Sequence, residues 1–282
     1  MHLIYRILKN TLLLGVLVLA ISSCDKLSRP AIGDYPKDSN PPGGPLKFFT
    51  AFDGDNSNPS MAAVDSIRAN FGVVTDGTFV PGGIEGNCWQ GSPTGFIQYP
   101  GPNDFTRSSS FTISLWIKKT PQPAGSGTQF AFSLNKKDYS WTNTKLFLEF
   151  EDAGNPSTTD LAAAKFYVMD QWVEYTKHNT SEDRMPKVLD GNWHHLAFTY
   201  DGTDSKLLAY IDGVLFHTNT VGGPLGPVNF GDFDDFTIGG PNQYTHDKNT
   251  WMGFWDGQID QFRLYGTVLT AAEIQALFNS KQ

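Results

Sequence analysis

Gly191-Asn-Trp-His-His-Leu-Ala-Phe-Thr-Tyr-Asp-Gly202, followed closely by Lys206-Leu-Leu-Ala-Tyr-Ile-Asp-Gly213, is the stretch on which the fold turns. Side chains alternate across a strand, so Trp193, His195, Ala197 and Thr199 fall on one face and His194, Leu196, Phe198 and Tyr200 on the other. His194 and His195 therefore point apart and cannot jointly grip one metal. Each reads first as an imidazole bonded to a neighbouring strand, with a ligand or catalytic base as the alternative. Asp201-Gly202 and Asp212-Gly213 are turn pairs, and the second predicts a hairpin.

The same alternation recurs on both sides of this stretch. Leu46–Phe52, Phe96–Tyr99, Phe111–Ile117, Phe130–Leu134, Leu146–Phe150, Lys165–Met169, Phe236–Ile238 and Gly257–Tyr265 all read as short strands separated by turn residues. From Leu161 to Thr176 the run Leu-Ala-Ala-Ala-Lys would tolerate a helix, although Lys165 to Tyr175 favours strand. Many short strands without intervening helices predict an all-β sandwich or barrel. One helix is expected at the C-terminus, where Thr270-Ala-Ala-Glu273 is a capping box and Leu269 and Ile274 take the staple positions. It should be short and dock on the sandwich edge. A length of 282 residues fits one large domain, and 13% aromatic with 18% charged residues excludes a disordered chain.

Ahead of that domain the sequence changes character. Arg6 and Lys9 precede the apolar run 11–21, which spans about 16 Å as a helix, too short for the roughly 30 Å hydrocarbon core. The run reads as a secretory signal over residues 1–23. Ile21-Ser-Ser-Cys24 then resembles the lipobox of a bacterial, Bacteroidetes-like lipoprotein, which makes Cys24 the lipidation site; an ordinary leader with a chance cysteine is the plainer alternative. Residues 24–45 hold Pro41-Pro-Gly-Gly-Pro45 and few apolar side chains, the composition of a tether. Domain boundaries are thus expected at 1–23, 24–45 and 46–282. With Cys24 acylated, Cys88 is the remaining thiol and reads as a small buried hydrophobe. A formal charge of −8 argues against nucleic acid and against anionic lipid surfaces, leaving the lipid anchor as the expected membrane contact.

Four segments in order carry a family resemblance: Phe52-Asp-Gly54; Ser110-Phe-Thr-Ile-Ser-Leu-Trp-Ile-Lys118; the Gly191–Gly213 stretch; and Phe254-Trp-Asp-Gly-Gln-Ile-Asp-Gln-Phe-Arg-Leu-Tyr265 before Leu269–Ile274. Together, with Gly86–Gly91 matching more loosely, they resemble the laminin-G-like members of the concanavalin-A-like lectin and glucanase superfamily over roughly residues 46–282. The resemblance implies a jelly-roll-like sandwich of two antiparallel sheets, with Trp116, Trp193 and Phe262 in its core. It also implies a structural Ca²⁺ tying the first strand region to the last, with Asp53 and Asp260 at the matching positions and carbonyls near Asp55 and Gly91 completing the shell. Both aspartates also make sense as turn formers without a metal.

The hydrolases of that superfamily carry an E-x-D-x-x-E strand, which this sequence lacks. Glu149 and Glu151 are the nearest pair and read as solvent-facing charges flanking Phe150. No catalytic residue is assigned. The expectation is a non-catalytic lipoprotein that binds an extracellular glycan, with a surface adhesion or scaffold protein as the alternative and a divergent glycosidase using Glu149 and Glu151 as the third. Lectins stack an aromatic ring on a pyranose and bond its hydroxyls with nearby amides and carboxylates. The loop aromatics Tyr139 and Trp141 with Asn143, and Tyr244, His246 and Trp251, are therefore the candidate ligand-binding residues. The expected location is the cell envelope, at the outer membrane.

Overall fold

The computed structural model describes residues 44–53, 58–64, 68–123, 125–136, 143–151, 157–176 and 183–281. Cys24, Tyr139 and Trp141 lie outside the described residues, as does the tether up to residue 43.

The principal strands are β1 (Leu46–Thr50), β2 (Asn87–Gln90), β3 (Phe111–Lys118), β4 (Thr128–Asn135), β5 (Leu146–Phe150) and β6 (Ala164–Val168). They continue as β7 (Gln171–Tyr175), β8 (Trp193–Asp201), β9 (Lys206–Ile211), β10 (Val214–Thr220), β11 (Asp235–Ile238) and β12 (Gln258–Tyr265). Among the described residues they form two eight-stranded sheets. The first runs β10-β9-β8-β3-β12-β2 and ends on Thr78–Pro81, with β1 also paired to β12. The second runs β7-β6-β5-β4-β11 and ends on Ile97–Tyr99 and Val73–Val74. Pairing is antiparallel apart from Met252–Gly253, which lies parallel to the start of β4.

The strand expected over Lys165–Tyr175 is a tight hairpin, β6–β7, rather than a helix. The Asp212-Gly213 turn joins β9 to β10 with both residues at positive φ, 51° and 78°, a conformation that asparagine, aspartate and glycine tolerate best. β10 itself has too little apolar content to announce a strand, because it is the sheet edge and half of it faces solvent.

Rings from both sheets meet in the interior. Phe48 and Phe262 of the first sheet pack against Phe132 and Phe236 of the second, with centroids 5.3 to 5.7 Å apart across the pairs Phe48–Phe236, Phe132–Phe262 and Phe236–Phe262. Such fully buried rings dominate the burial energy of a sandwich. Phe262 is in this core as the resemblance implies. Trp116 is buried too, but on the outer face of the first sheet, where its ring stacks on Phe278 at 5.6 Å. Trp193 departs further: it is only half-buried, and its indole N–H donates to the Gly82 carbonyl at 3.1 Å. The reason is strand parity. Leu196, Phe198 and Tyr200 fill the interior, so the residues alternating with them must face out.

What covers that outer face is the C-terminal helix, α2 (Ala271–Ser280), capped as expected: Glu273 N–H donates to Thr270 Oγ1 at 3.3 Å, and Thr270 N–H to the Glu273 carboxylate at 2.7 Å. It docks on a sheet face, not on the sandwich edge. Ile274 buries against Leu46, Ala197, Tyr210 and Tyr265. His195, fully buried beneath it, meets Ser114 Oγ through Nε2 at 2.8 Å. His194 lies on the opposite parity between Asp212 at 2.9 Å and Asp190 at 3.1 Å, and the Asp212 hydrogen bond outweighs burial to raise its pKa. Cys88 is buried, and burial pushes its thiol up to about 11, as an inert core side chain requires.

Candidate functional site

The outer face of the second sheet is built differently. Three strands in direct register place Phe147, Tyr167 and Trp172 side by side across β5, β6 and β7, because Phe147 pairs with Tyr167 and Tyr167 with Trp172. Phe147 and Tyr167 stack at 4.6 Å with planes 5° apart, and Trp172 meets them edge-on at 5.4 and 4.9 Å. The row continues onto β4, where Phe130 lies 5.0 Å from Phe147 and 5.8 Å from Trp251. Phe130, Phe147 and Tyr167 are buried; Trp172 is half-buried, and Trp251 is 40% exposed. The band therefore offers a water-accessible ring at each end on a rigid aromatic floor.

Two residues along each strand lies a second row, Glu149, Lys165 and Glu174, again in direct register. Glu151 joins it by an ion pair with Lys165, whose ammonium also lies 3.8 Å from Glu174 and 5.3 Å from the Trp172 ring. Glu149 is not solvent-facing. It is 1% exposed, and its Oε2 has no hydrogen-bond partner among the described residues. Burial pushes its carboxyl up to about 8, with Lys165 drawing it back and Glu151 and Glu174 adding to the rise. The difference is one of coverage: a carboxylate on the outer face of a sheet is solvated only if that face is open, and here Glu149 is covered, with Phe130 and Lys165 as its cross-strand neighbours.

Sequence reasoning treated Tyr244, His246 and Trp251 as loop residues, yet Gln243–Lys248 is a short helix, α1. Its N-cap Asn242 accepts from Thr245 N–H at 2.8 Å and donates to both Asp235 oxygens at 3.0 and 3.2 Å. Asn135 and Gln98 donate to the same carboxylate at 2.8 Å each. This buried amide–carboxylate cluster fixes α1 on the outer face. Tyr244 is 38% exposed on it. His246 is turned inward instead: its Nδ1–H donates to the Met252 carbonyl at 2.7 Å and its ring lies 4.5 Å from Phe254, so it positions the following segment rather than facing a ligand. Asn143 is half-buried just before β5. Of the expected binding residues that are described, Trp251 joins the aromatic row. Phe130, Phe147, Tyr167 and Trp172 went unread there, although Leu146-Phe-Leu-Glu-Phe150 has bulky groups on both strand faces and so signals cover on both sides.

Asp53 and Asp260 do come together. Asp260 sits at a break in register in β12, followed by Gln261 at φ 48°. The loop before β2 folds over the pair: Ile84 N–H donates to Asp260 at 2.6 Å and Asn87 N–H to Asp53 at 2.7 Å. A Cβ on Gly86 would stand 2.3 Å from Asp53 Oδ1, and one on Gly83 2.5 Å from Asp260 Oδ2, so these glycines permit the close approach. Burial pushes Asp260 to about 8, with the Asp53 charge adding, and Asp53 to about 6, with Glu85 adding. Two adjoining carboxylates that resist ionising are the donor set a divalent cation would relieve. Among the described residues no group of three or more His, Cys, Asp or Glu is arranged to hold a metal, so carbonyls would have to complete the shell. Asp55 lies outside the described residues, and the Gly91 carbonyl accepts from the Gln90 side-chain amide at 3.2 Å.

Two antiparallel sheets packed face to face, with a helix on each outer face, define a jelly-roll-like sandwich. The chain belongs to the Laminin_G_3 family of the concanavalin A-like lectin/glucanases superfamily, whose profile matches residues 90–275. It is 25% identical over 175 residues to neuronal pentraxin-2 of Cavia porcellus and of Mus musculus, covering 60% of this chain and 34% of each relative. The chain thus spans about a third of the length of these curated relatives. Among solved structures it is similar to domain 4 of AbnA, an extracellular arabinanase from Geobacillus stearothermophilus, in complex with arabinotriose. That match has a TM-score of 0.54 and 19% identity, over 83% of this chain and 98% of that one. It is likewise similar to the binding domain of botulinum neurotoxin DC in complex with rat synaptotagmin II, at TM-score 0.54 and 14% identity over 84% and 52%. Among the described residues no helix is long and apolar enough to cross a membrane.

Proposed function

We propose that this protein is a cell-envelope lipoprotein that binds an extracellular glycan without cleaving it. The observation that carries the reading is the continuous row Trp251–Phe130–Phe147–Tyr167–Trp172, accessible at both ends and bordered by polar side chains. Sugar rings stack on such surfaces through their apolar faces while hydroxyls find the flanking groups. The arabinotriose bound by the similar arabinanase domain supports a saccharide ligand. Against a glycosidase built on Glu149 and Glu151 stand the burial of the first and the ion pair of the second with Lys165, which keep this pair from a glycosidic bond. A surface adhesion protein that contacts protein on this same face is the second reading, favoured only by the synaptotagmin complex of the similar toxin domain. In this reading Cys24 carries the lipid, residues 24–45 form the tether and the anchor lies in the outer membrane. Asp53 and Asp260 would hold a structural Ca²⁺ that neutralises their charge and pins the entry of the fold to its exit.

A glycan array of the domain from residue 46 onward tests the binding. Trp172→Ala and Trp251→Ala should each weaken saccharide binding about five- to thirtyfold, since one stacked ring contributes roughly 1–2 kcal/mol. Full binding by both variants would overturn the assignment of this face, and a silent array alongside protein cross-links would favour the adhesion reading.

A further inference from the structure

The row of charges beside the aromatic band also bears on which saccharides it accepts. Lys165 is the cation set within the two rows, and its ammonium is already held by Glu151, lies close to Glu174 and sits over Trp172. Glu174, by contrast, leaves half its side chain in solvent next to Trp172. An incoming ligand therefore meets a carboxylate first. Tyr167, the central ring, donates its hydroxyl to the Asp170 carboxylate at 2.7 Å, which adds another negative group at the turn beside it. Elsewhere on this side of the molecule Lys136 is paired with Asp232, and Lys145, two residues before Phe147, acts on the same carboxylate and helps hold its pKa down. Glu149 supplies the independent observation. Its buried oxygen without a partner lies between Phe130 and Lys165, its cross-strand neighbours, on the face that carries the rings. At 1% exposure Glu149 does not reach a ligand itself; it marks the ground beneath Lys165 as one where a negative charge is poorly solvated, so that a further anion brought to this face is disfavoured.

We infer that this face is selective for neutral saccharides and turns away uronate, sulfated and sialylated ones. The inference rests on the glycan-binding reading above and specifies its ligand. A uronate carboxylate at the Trp172 end would meet the exposed Glu174 carboxylate, with the Lys165 ammonium beside it already held by Glu151. In a solvated setting repulsion of that kind costs about tenfold in affinity and weakens as salt shortens the screening length.

The test titrates the whole domain with arabino-, xylo- and gluco-oligosaccharides, and with oligogalacturonate and a sialylated oligosaccharide of similar length, at 20 mM and 300 mM salt. Neutral ligands should bind at least tenfold more tightly at low salt, with the gap narrowing at high salt. Glu174→Gln should tighten oligogalacturonate binding several-fold at low salt and less at high salt. Equal or tighter binding of the anionic ligands, or a Glu174→Gln variant that discriminates as the parent does, would overturn the inference while leaving the glycan reading intact. Failure of every saccharide to bind would remove the glycan reading itself, and the inference with it.

Discussion

Glu149→Gln isolates what the charge at this position costs the fold. The carboxyl has a pKa of about 8 in the folded protein against 4.5 when unperturbed. Below about pH 4.5 folded and unfolded chains both hold the proton. Between about 4.5 and 8 only the folded chain holds it, so unfolding releases a proton and stability falls as pH rises through that window; above 8 both are ionised and the loss is complete. A shift of three to four units at 1.36 kcal/mol each sets a ceiling of roughly 5 kcal/mol. Water reaching the ionised carboxylate, or Lys165 turning from Glu151 toward it, lowers the figure, and about 2–3 kcal/mol is expected. Glutamine keeps the shape and cannot ionise. Urea unfolding of both proteins at pH 5, 6.5 and 8 measures the effect, and Asp53 and Asp260, present in both, cancel in the comparison. The parent should lose about 2–3 kcal/mol relative to the glutamine variant between pH 5 and 8, or about 4–12 °C in melting temperature for a domain of this size. Parallel pH curves for the two proteins would refute both the burial argument and the neutral state assigned to Glu149.

Three further expectations follow from particular contacts. Phe262→Ala, which removes a ring at the centre of the core, should cost about 3–5 kcal/mol, whereas Trp193→Ala, half-buried at the surface, should cost about 1 kcal/mol or less; chemical denaturation that reversed this order would contradict the assigned strand parity. Saturating Ca²⁺ at a hundredfold excess over Kd should stabilise by about 2.7 kcal/mol relative to chelator, and Asp260→Asn should abolish the difference; a melting temperature indifferent to Ca²⁺ would dispose of the metal site. Cys24→Ser in the full chain should release the protein from membranes and end palmitate labelling, and a variant that still fractionates with membranes would exclude that anchor.

The sandwich was legible because burial on one side of a strand writes a period of two into the sequence, and most of its strands keep that period. Phe111-Thr-Ile-Ser-Leu-Trp-Ile117 points Phe111, Ile113, Leu115 and Ile117 inward without exception. The capping box of α2 was equally plain, since its signal is local. Less could be read where a second layer covers the outside. Trp116 and His195 sit under α2, and nothing in their own strands says whether the outer face meets solvent or a helix. α1 is six residues long, too short for a helical period, and only Asn242 as an N-cap marks its start.

Both candidate sites lie where the period of two breaks, and this is the physical reason they were read incompletely. In Phe130-Ala-Phe132-Ser-Leu134 simple alternation sends all three bulky residues to one face. The pairing of β4 with β5 skips a residue, Leu148 opposing Phe132 and Glu149 opposing Phe130, so Ala131 joins the core and Phe130 swings to the outside, where it links Trp251 to Phe147. A bulge of one residue thus completes the aromatic row. A second break, in β12, lies beside the aspartates. Ile259, Phe262 and Leu264 all face inward, which the spacing of three between Ile259 and Phe262 permits only if the strand takes an extra residue at Asp260-Gln261. That phase slip was visible in the sequence; it follows directly on Asp260, which stays paired with Trp116 and faces out, where it meets Asp53. Deleting Gln261 would restore strict alternation and carry Phe262 out of the core, so the inward placement of Phe262 depends on the bulge that follows Asp260.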